Sequence, residues 1–384
     1  MNSDTPSAAT TRTAMPRNRP PFRADHVGSL LRPASLHAAR AARRRGESGA
    51  DALRAEEDRC IEAAVRRQEA IGLRAATDGE FRRAYWHFDF LAGLDGVEIY
   101  EPEQKVQFKG AILPHALRIT APIRWREPVM IDHYRFLAAT VSRAVPKQTI
   151  PSPSVLHFRG GRRAIDPHVY PDLDEFFADL GAAYRDAVQA FAAAGCRYLQ
   201  LDEVNIAYLC DPEQIAALKA RGDYVEGLLQ IYADLINRAI AGRPADMTIT
   251  MHLCRGNFRS TWIASGGYEP VAEVLFNAID ADGYFLEYDT ERAGGFEPLR
   301  LVPRDGRKRV VLGLVTSKTG ALESNDDLKR RIDEAAKYLP LEQLALSPQC
   351  GFASTEEGNL LSEEEQWAKL RLCVEVAEDV WGGV

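Results

Sequence analysis

The chain of 384 residues lacks the signatures of several large function classes. It has no GxGxxG and no GxxxxGK followed by Ser or Thr, so the glycine turns that seat a nucleotide's phosphates at a helix N-terminus are missing. Neither GxSxG nor HExxH occurs, which removes nucleophile-elbow hydrolases and helical zinc proteases. No stretch approaches the ~20 uninterrupted apolar residues of a membrane helix. Basic excess is absent too: 48 Lys and Arg against 55 Asp and Glu leave a net charge of −7, with no general pull toward nucleic acid. Cysteine is sparse, with six residues at 60, 196, 210, 254, 350 and 373 and no CxxC pair. That argues against a disulfide scaffold and fits reduced thiols in a cytoplasmic enzyme.

What is present is an ordinary globular balance, 46% hydrophobic and 27% charged, long enough to bury a large core. Length alone suggests two or three domains, but a closed α/β barrel holds this many residues in one. Residues 1–21, polar and proline-bearing without an apolar stretch, are expected to be a disordered tail, with a transit peptide as the alternative. Residues 22–384 are expected to form a single domain.

Along that domain, apolar runs alternate with segments of helical period. Leu53, Cys60, Ile61, Ala64, Val65 and Ile71 recur on one helical face before Gly72. Phe176, Leu180, Tyr184, Ala187, Val188 and Phe191 do so before Gly195. A strand-like run follows each glycine. The eight candidate strands are residues 23–29, 73–80, 148–155, 196–203, 248–254, 282–289, 309–315 and 343–350. Repeated strand–helix units predict an α/β fold with a parallel sheet, and eight of them a (β/α)8 TIM barrel. A doubly wound open sheet is the rival, but its usual nucleotide signature is absent. Residues 92–135 alternate in polarity and are expected to form a β-hairpin insertion after the second strand.

The strand ends carry acids, a histidine and thiols where a barrel interior would take branched apolar residues. They are Gly28-Ser29, Asp78-Gly79-Glu80, Asp202-Glu203, His252-Leu253-Cys254, Glu287 and Cys350. In a barrel those ends converge on one mouth, where catalytic groups sit. His252 and Cys254, two apart on a strand, point the same way, and Glu287 and Cys350 reach the same point from other strands. Two thiolates, an imidazole and a carboxylate suit Zn2+ as a metal site. Cys60, Cys196, Cys210 and Cys373 read as inert buried thiols, and His37, His115, His133, His157 and His168 as core or surface groups.

Taken in order, DHVGSLLRP, TDGEFRR, QLDEVN, MHLCRGN, FLEYD, LGLVTSK and SPQCGF resemble the catalytic barrel of the cobalamin-independent methionine synthase family, in its short bacterial branch. The resemblance runs from Arg23 to Trp381. It implies a zinc-dependent S-methyltransferase that makes methionine from homocysteine and a methyl donor, a methyl-folate or a substitute. It also implies zinc on His252, Cys254, Glu287 and Cys350. The homocysteine ammonium would lie between Glu80 and Asp202, and its carboxylate on Val27-Gly28-Ser29. Such a charge distribution is what an amino acid asks of its site. Tyr85, Trp86, His87 and Phe88 are candidates to wall the donor pocket. Two departures stand out. The chain has no room for the second barrel of the double-length members, and Lys318 stands where folate-using members place a proton-donating histidine. The alternatives are a zinc alkyltransferase using another thiol, such as coenzyme M, or a corrinoid donor. From another class come a metal-free decarboxylase-like barrel and a non-catalytic zinc- or thiol-binding protein. The oligomeric state is not legible.

Overall fold

The computed structural model of the protein describes residues 19–101, 106–108, 111–113, 115–126 and 129–384. In chain order its strands are β1 (Ala75–Ala76), β2 (Asp95–Tyr100), β3 (Val106–Phe108), β4 (Ala111–Leu113), β5 (Ala116–Arg124), β6 (Val145–Pro146), β7 (Gln148–Pro151), β8 (Tyr198–Glu203), β9 (Thr248–Leu253), β10 (Gly283–Glu287), β11 (Arg309–Val315) and β12 (Leu344–Pro348). Strands β7 to β12 form one parallel sheet whose spatial order is their chain order. Past β12, Ala24 continues the parallel pairing on Leu346, with Asp25 N donating to Leu346 O and Leu346 N to Arg23 O. Past β7, the adjoining β6 pairs in parallel with β1, and Lys147 N donates to Ala76 O. Leu30 N to Gly79 O and Thr77 Oγ1 to Gly28 O join the last seam. The ring therefore closes as the (β/α)8 TIM barrel that the strand–helix alternation predicts.

Most predicted strands are trimmed at an end, and three keep half of their expected length or less, for backbone reasons. Residues 23–29 contribute a single bridge, because the chain turns at Gly28, whose φ of +143° places its missing Cβ only 2.8 Å from Thr149 Cγ2. Residues 73–80 keep two paired residues before the left-handed Gly79 and Glu80 (φ +66° and +61°) bend the chain across the mouth. Residues 152–155 leave β7 at Pro153 and open a short helix, Ser154–Phe158. The insertion is present as β2 paired antiparallel with β5 and β3 with β4, although residues 131–135 already belong to the helix Ile131–Thr140. Of the expected tail, residues 1–18 lie outside the described residues. Residues 19–21 belong to the base of the barrel instead: Arg19 donates to Thr248 Oγ1 and Ala245 O, and Pro21 O accepts from Arg309.

The helices follow their sequence signals. Leu173–Ala193 starts on Asp172, which accepts from Asp174 N, buries Phe176, Leu180, Tyr184, Ala187, Val188 and Phe191, and stops at Gly195 (φ +96°). Glu363–Trp381 opens with a Ser362–Glu365 capping box and ends on the left-handed Gly382. Strand alternation then divides the core in two. Leu199, Leu201, Ile249, Met251 and Leu253 pack in the large cluster under the helices, while Val27, Phe285, Val311 and Ala345 form a small apolar cluster of their own. Phe285 shares its face of β10 with Glu287, so the same alternation that makes the barrel's filling delivers Glu287 to its mouth.

Candidate metal centre

Register fixes the heights of the functional side chains. Asp202 on β8 pairs with His252 on β9, and Leu253 with Leu286, so Glu287 comes level with Cys254 on the neighbouring strand and His252 stands one same-face position before them. Cys350 arrives from the turn after β12. The result is a set of donor atoms from His252, Cys254, Glu287 and Cys350 that all lie within 4.8 Å of one another, every residue buried. The sulfurs of Cys254 and Cys350 are 3.4 Å apart, and Gly256 N donates to Cys254 Sγ at 3.2 Å.

These atoms are short of partners. Both ring nitrogens of His252 and Oε1 of Glu287 are buried without a hydrogen bond. A buried polar atom left that way is costly, and native cores rarely keep one without a ligand or water to satisfy it. The donor set (two sulfurs, a nitrogen and an oxygen from three strands) fits a divalent cation of borderline softness. The protonation pattern points the same way. The Cys254 hydrogen bond, helped by the charge of His252, outweighs burial and holds the Cys350 thiol well below its usual range. The same bond, and then burial, push Cys254 up. Burial works against a proton on His252, but Cys350, Asp202 and Glu287 together raise its affinity for one. Burial also raises Glu287, against the nearby charge of Lys318.

Beside it stands a second unbalanced group. Glu80 and Asp202 line the same pocket as His252, Cys254 and Cys350. Burial, and next the charge of Glu80, raise Asp202 to about 7. Glu80 is raised chiefly by burial, with Arg83 opposing. Arg82 pairs with Glu57 and Asp58 and plays no part here, whereas Arg83 reaches Glu80 Oε1 at 3.4 Å. Oε1 also accepts from Thr149 Oγ1 at 2.8 Å, leaving Oε2 buried and unpartnered. Gln200 Nε2 bonds both Asp202 Oδ1 and Val27 O at 2.7 Å, which aims the carboxylate. Glu203, its chain neighbour, points away and accepts from Asn205 N and Ser154 Oγ. Two carboxylates facing one pocket with a spare oxygen make a seat for a cationic group.

The remaining expected residues divide. Val27 and Ser29 line the pocket, whereas Gly28 shapes the turn between them without lining it. Tyr85, Trp86 and His87 line it too, and burial, then Arg159, keep His87 well below its usual pKa, hence neutral. Phe88 is core rather than pocket wall: it is buried against His87, with ring centroids 4.1 Å apart. Lys318 is not among the lining residues, yet its Nζ is buried without a hydrogen-bond partner and its charge acts on Cys254, Glu287 and Cys350. Sequence reasoning missed Arg159, Tyr208, Asn257 and Phe258, which complete the walls from βα loops. Only Asn257, inside MHLCRGN, carried a signal; its Nδ2 ties the loop to Gly351 O at 2.7 Å. Cys60, Cys196, Cys210 and Cys373 are buried away from the cluster, and His157 is satisfied by Tyr232. Among the described residues no helix is long and apolar enough to cross a membrane.

Comparison with known proteins agrees with this geometry. The family model described as the cobalamin-independent synthase catalytic domain matches residues 22–379. The chain is 51% identical over 370 residues to YxjG of Bacillus subtilis, covering 96% of this chain and 97% of that one. A solved structure of a putative vitamin-B12 independent methionine synthase from Listeria monocytogenes is 44% identical with a TM-score of 0.77, covering 95% of this chain and 99% of the other. A B12-independent methionine synthase from Shewanella sp. W3-18-1, at 18% identity and a TM-score of 0.72 over 93% of this chain and 97% of that one, shares the fold.

Proposed function

The chain belongs to the cobalamin-independent synthase family by its catalytic domain, a family of methionine synthase-like methyltransferases, and on that premise we propose that it transfers a methyl group to the thiol of homocysteine, with Zn2+ as cofactor. The observation that carries the proposal is the juxtaposition in one pocket of two unbalanced groups: the sulfur, nitrogen and oxygen donors with orphaned atoms, and the Glu80–Asp202 pair. The first would hold the metal, and the second the ammonium of an amino acid whose sulfur then points at the donors. Ser29 and the turn at Gly28 would take the carboxylate.

A free thiol near pKa 8.5 is mostly protonated at neutral pH, and only the thiolate attacks well. Bound zinc supplies deprotonation of the thiol while sulfur stays nucleophilic. The residues do the rest. Glu80 and Asp202 orient the amino acid, and the aromatic wall of Tyr85, Trp86 and Phe258 limits water. The S–CH3 bond then forms as the donor–CH3 bond breaks, and Lys318 Nζ is the proposed proton source for the donor's departing atom. A reducing, cytoplasmic setting keeps the thiols available. A thiol without an ammonium, such as coenzyme M, would leave Glu80 and Asp202 unused. The test is zinc analysis of the purified protein together with homocysteine and, in turn, a methyl-folate, a methylated corrinoid and a methylsulfonium. Stoichiometric zinc and methionine from one donor support the proposal; unchanged homocysteine with each of them in zinc-replete protein overturns it.

A further inference from the structure

We infer that Arg292 is a positioning residue that receives the Glu287 carboxylate when the acceptor thiol displaces it from the donor cluster. The inference rests on the reading of the cluster as a thiol-binding methyltransferase site.

Glu287 has nowhere else to go. Its side chain is fully buried, so a displaced carboxylate would meet no water. Its backbone is locked, because Glu287 N donates to Tyr268 Oη at 2.9 Å and Glu287 O accepts from Arg255 at 3.2 Å. Arg255 is itself held by Gly266 O at 2.6 Å. Only the side chain of Glu287 is left to move. Its two oxygens are unlike: Oε1 has no partner, and Oε2 lies 3.3 Å from Arg292 Nη2.

Arg292 is under-committed in a way that suits a receiver. The same Nη2 lies 3.3 Å from Asp289 Oδ1, so one nitrogen is shared between two carboxylates at long range. Charge-assisted N–H···O bonds close to ~2.7–2.9 Å when fully made. The guanidinium rests over the Trp262 ring at 5.1 Å, and the residue's backbone is held separately, its carbonyl oxygen accepting from Gly266 N at 2.9 Å. Asp289 is anchored by Thr316 Oγ1 at 3.1 Å. A small rotation of Glu287 would therefore shorten an existing contact and exchange one partner for another, with no buried charge left bare.

A purely structural Arg292 would hold the cluster together, so its loss would weaken metal and thiol binding alike. The receiver role separates the two. The experiment uses the full chain loaded with Co2+ or Zn2+, measuring metal affinity by chelator competition and homocysteine affinity by the thiolate-to-cobalt absorption band. For R292Q the expected result is metal affinity equal to or tighter than wild type, with homocysteine affinity about tenfold weaker, the lower end of what outer-shell partners of a metal ligand contribute. R292K recovers part of the loss. D289N, which frees Arg292 for Glu287, shifts homocysteine affinity the other way. Unchanged homocysteine affinity in R292Q, or parallel loss of metal and thiol, overturns the inference; should R292Q not fold, R292K and D289N decide it by the same opposed signs. Cobalt-loaded wild type with no response to homocysteine would sink the acceptor reading and the inference with it, whereas a wild-type response matched by R292Q sinks the inference alone.

Discussion

Two ionic clusters sit inside this barrel, one at each end of the strands, built from similar residues to opposite effect. At the base, Lys147 lies 3.3 Å from Asp25 Oδ1, donates to His26 O at 2.5 Å and rests 4.0 Å above the Phe285 ring centre. Tyr198 Oη donates to the other Asp25 oxygen at 2.8 Å. Positive charge meets negative, and each Asp25 oxygen is bonded. At the mouth, Glu80 and Asp202 share one pocket with only Arg83, 3.4 Å from Glu80 Oε1, as counter-charge, Glu80 Oε2 has no hydrogen-bond partner, and His252 and Glu287 keep polar atoms unsatisfied. Burial is equally deep in both places, so depth does not tell structure from function. The kind of atom left over does: at the base both ring nitrogens of His26 lack a partner but no thiol or carboxylate oxygen stands unpaired beside them, whereas at the mouth the unpartnered imidazole of His252 meets two sulfurs and a bare carboxylate oxygen.

The most damaging way to break that contrast is at the mouth. Cys350→Ser should lose bound metal and cut methyl transfer by about a thousandfold or more, since a metal site supplies several kcal/mol to the transition state. Folding should be kept, and metal analysis beside circular dichroism separates the two. Full metal and full turnover would reject the ligand set. Next in size is the base. Lys147→Met strands the Asp25 carboxylate and should cost about 3–5 kcal/mol of stability, the usual penalty for removing one partner of a buried pair. Metal stoichiometry of the folded fraction should stay unchanged. Urea unfolding measures the first and metal analysis the second; a variant of wild-type stability would mean that the base network is not structural.

The two ends should also answer pH with opposite signs. Burial, then the charge of Lys147, lower His26 from 6.5 to about 4. Between those values the unfolded chain takes up a proton that the folded one refuses, so this group's stabilisation is complete above pH 6.5 and is lost as pH falls toward 4. Asp202 is raised from 3.8 to about 7, so over nearly the same window the folded state holds the extra proton. Its contribution is lost as pH rises from 4 to 7. In metal-stripped protein, His26→Leu should flatten the acid flank of melting temperature against pH, and Asp202→Asn the neutral flank. Identical profiles for both variants would break the contrast.

The mouth was legible in the sequence and the base was not, for a physical reason. His252, Cys254, Glu287 and Cys350 are residue types that a barrel interior disfavours, and each stands at the end of a strand, so composition and position coincide. Glu80 and Asp202 were legible likewise. Asp25 and Lys147 lie 122 residues apart and meet only because β7 and the Ala24 segment face each other across the barrel floor, which no local pattern encodes. Arg159 follows the short helix Ser154–Phe158 and Arg292 lies in the short helix Glu291–Ala293, places where an arginine is ordinary and only its neighbours in space mark it out. The eight strands were legible by period, while the shortening of three of them followed from turns at Gly28, Gly79-Glu80 and Pro153, whose dihedrals alternation does not report.

The smallest effect tests the contrast most closely, because it compares like with like. Cys196 and Cys254 are both buried thiols beside barrel strands, one entering β8 near the base, the other leaving β9 at the mouth. Burial alone drives the Cys196 thiol up to about 12, and its Sγ finds Tyr198 O at 3.4 Å; among the described residues it belongs to no cluster of metal-ligating side chains. Cys254 differs in its surroundings, another sulfur at 3.4 Å and orphaned nitrogen and oxygen donors close by. Cys196→Ala should therefore cost about 1 kcal/mol, the order expected for deleting one buried group of this size, with metal content and turnover at wild-type values. Should that substitution instead lower metal content in the folded protein, a buried thiol at the base would be feeding the mouth, and the clustering of donor atoms would no longer separate the two ends of the barrel.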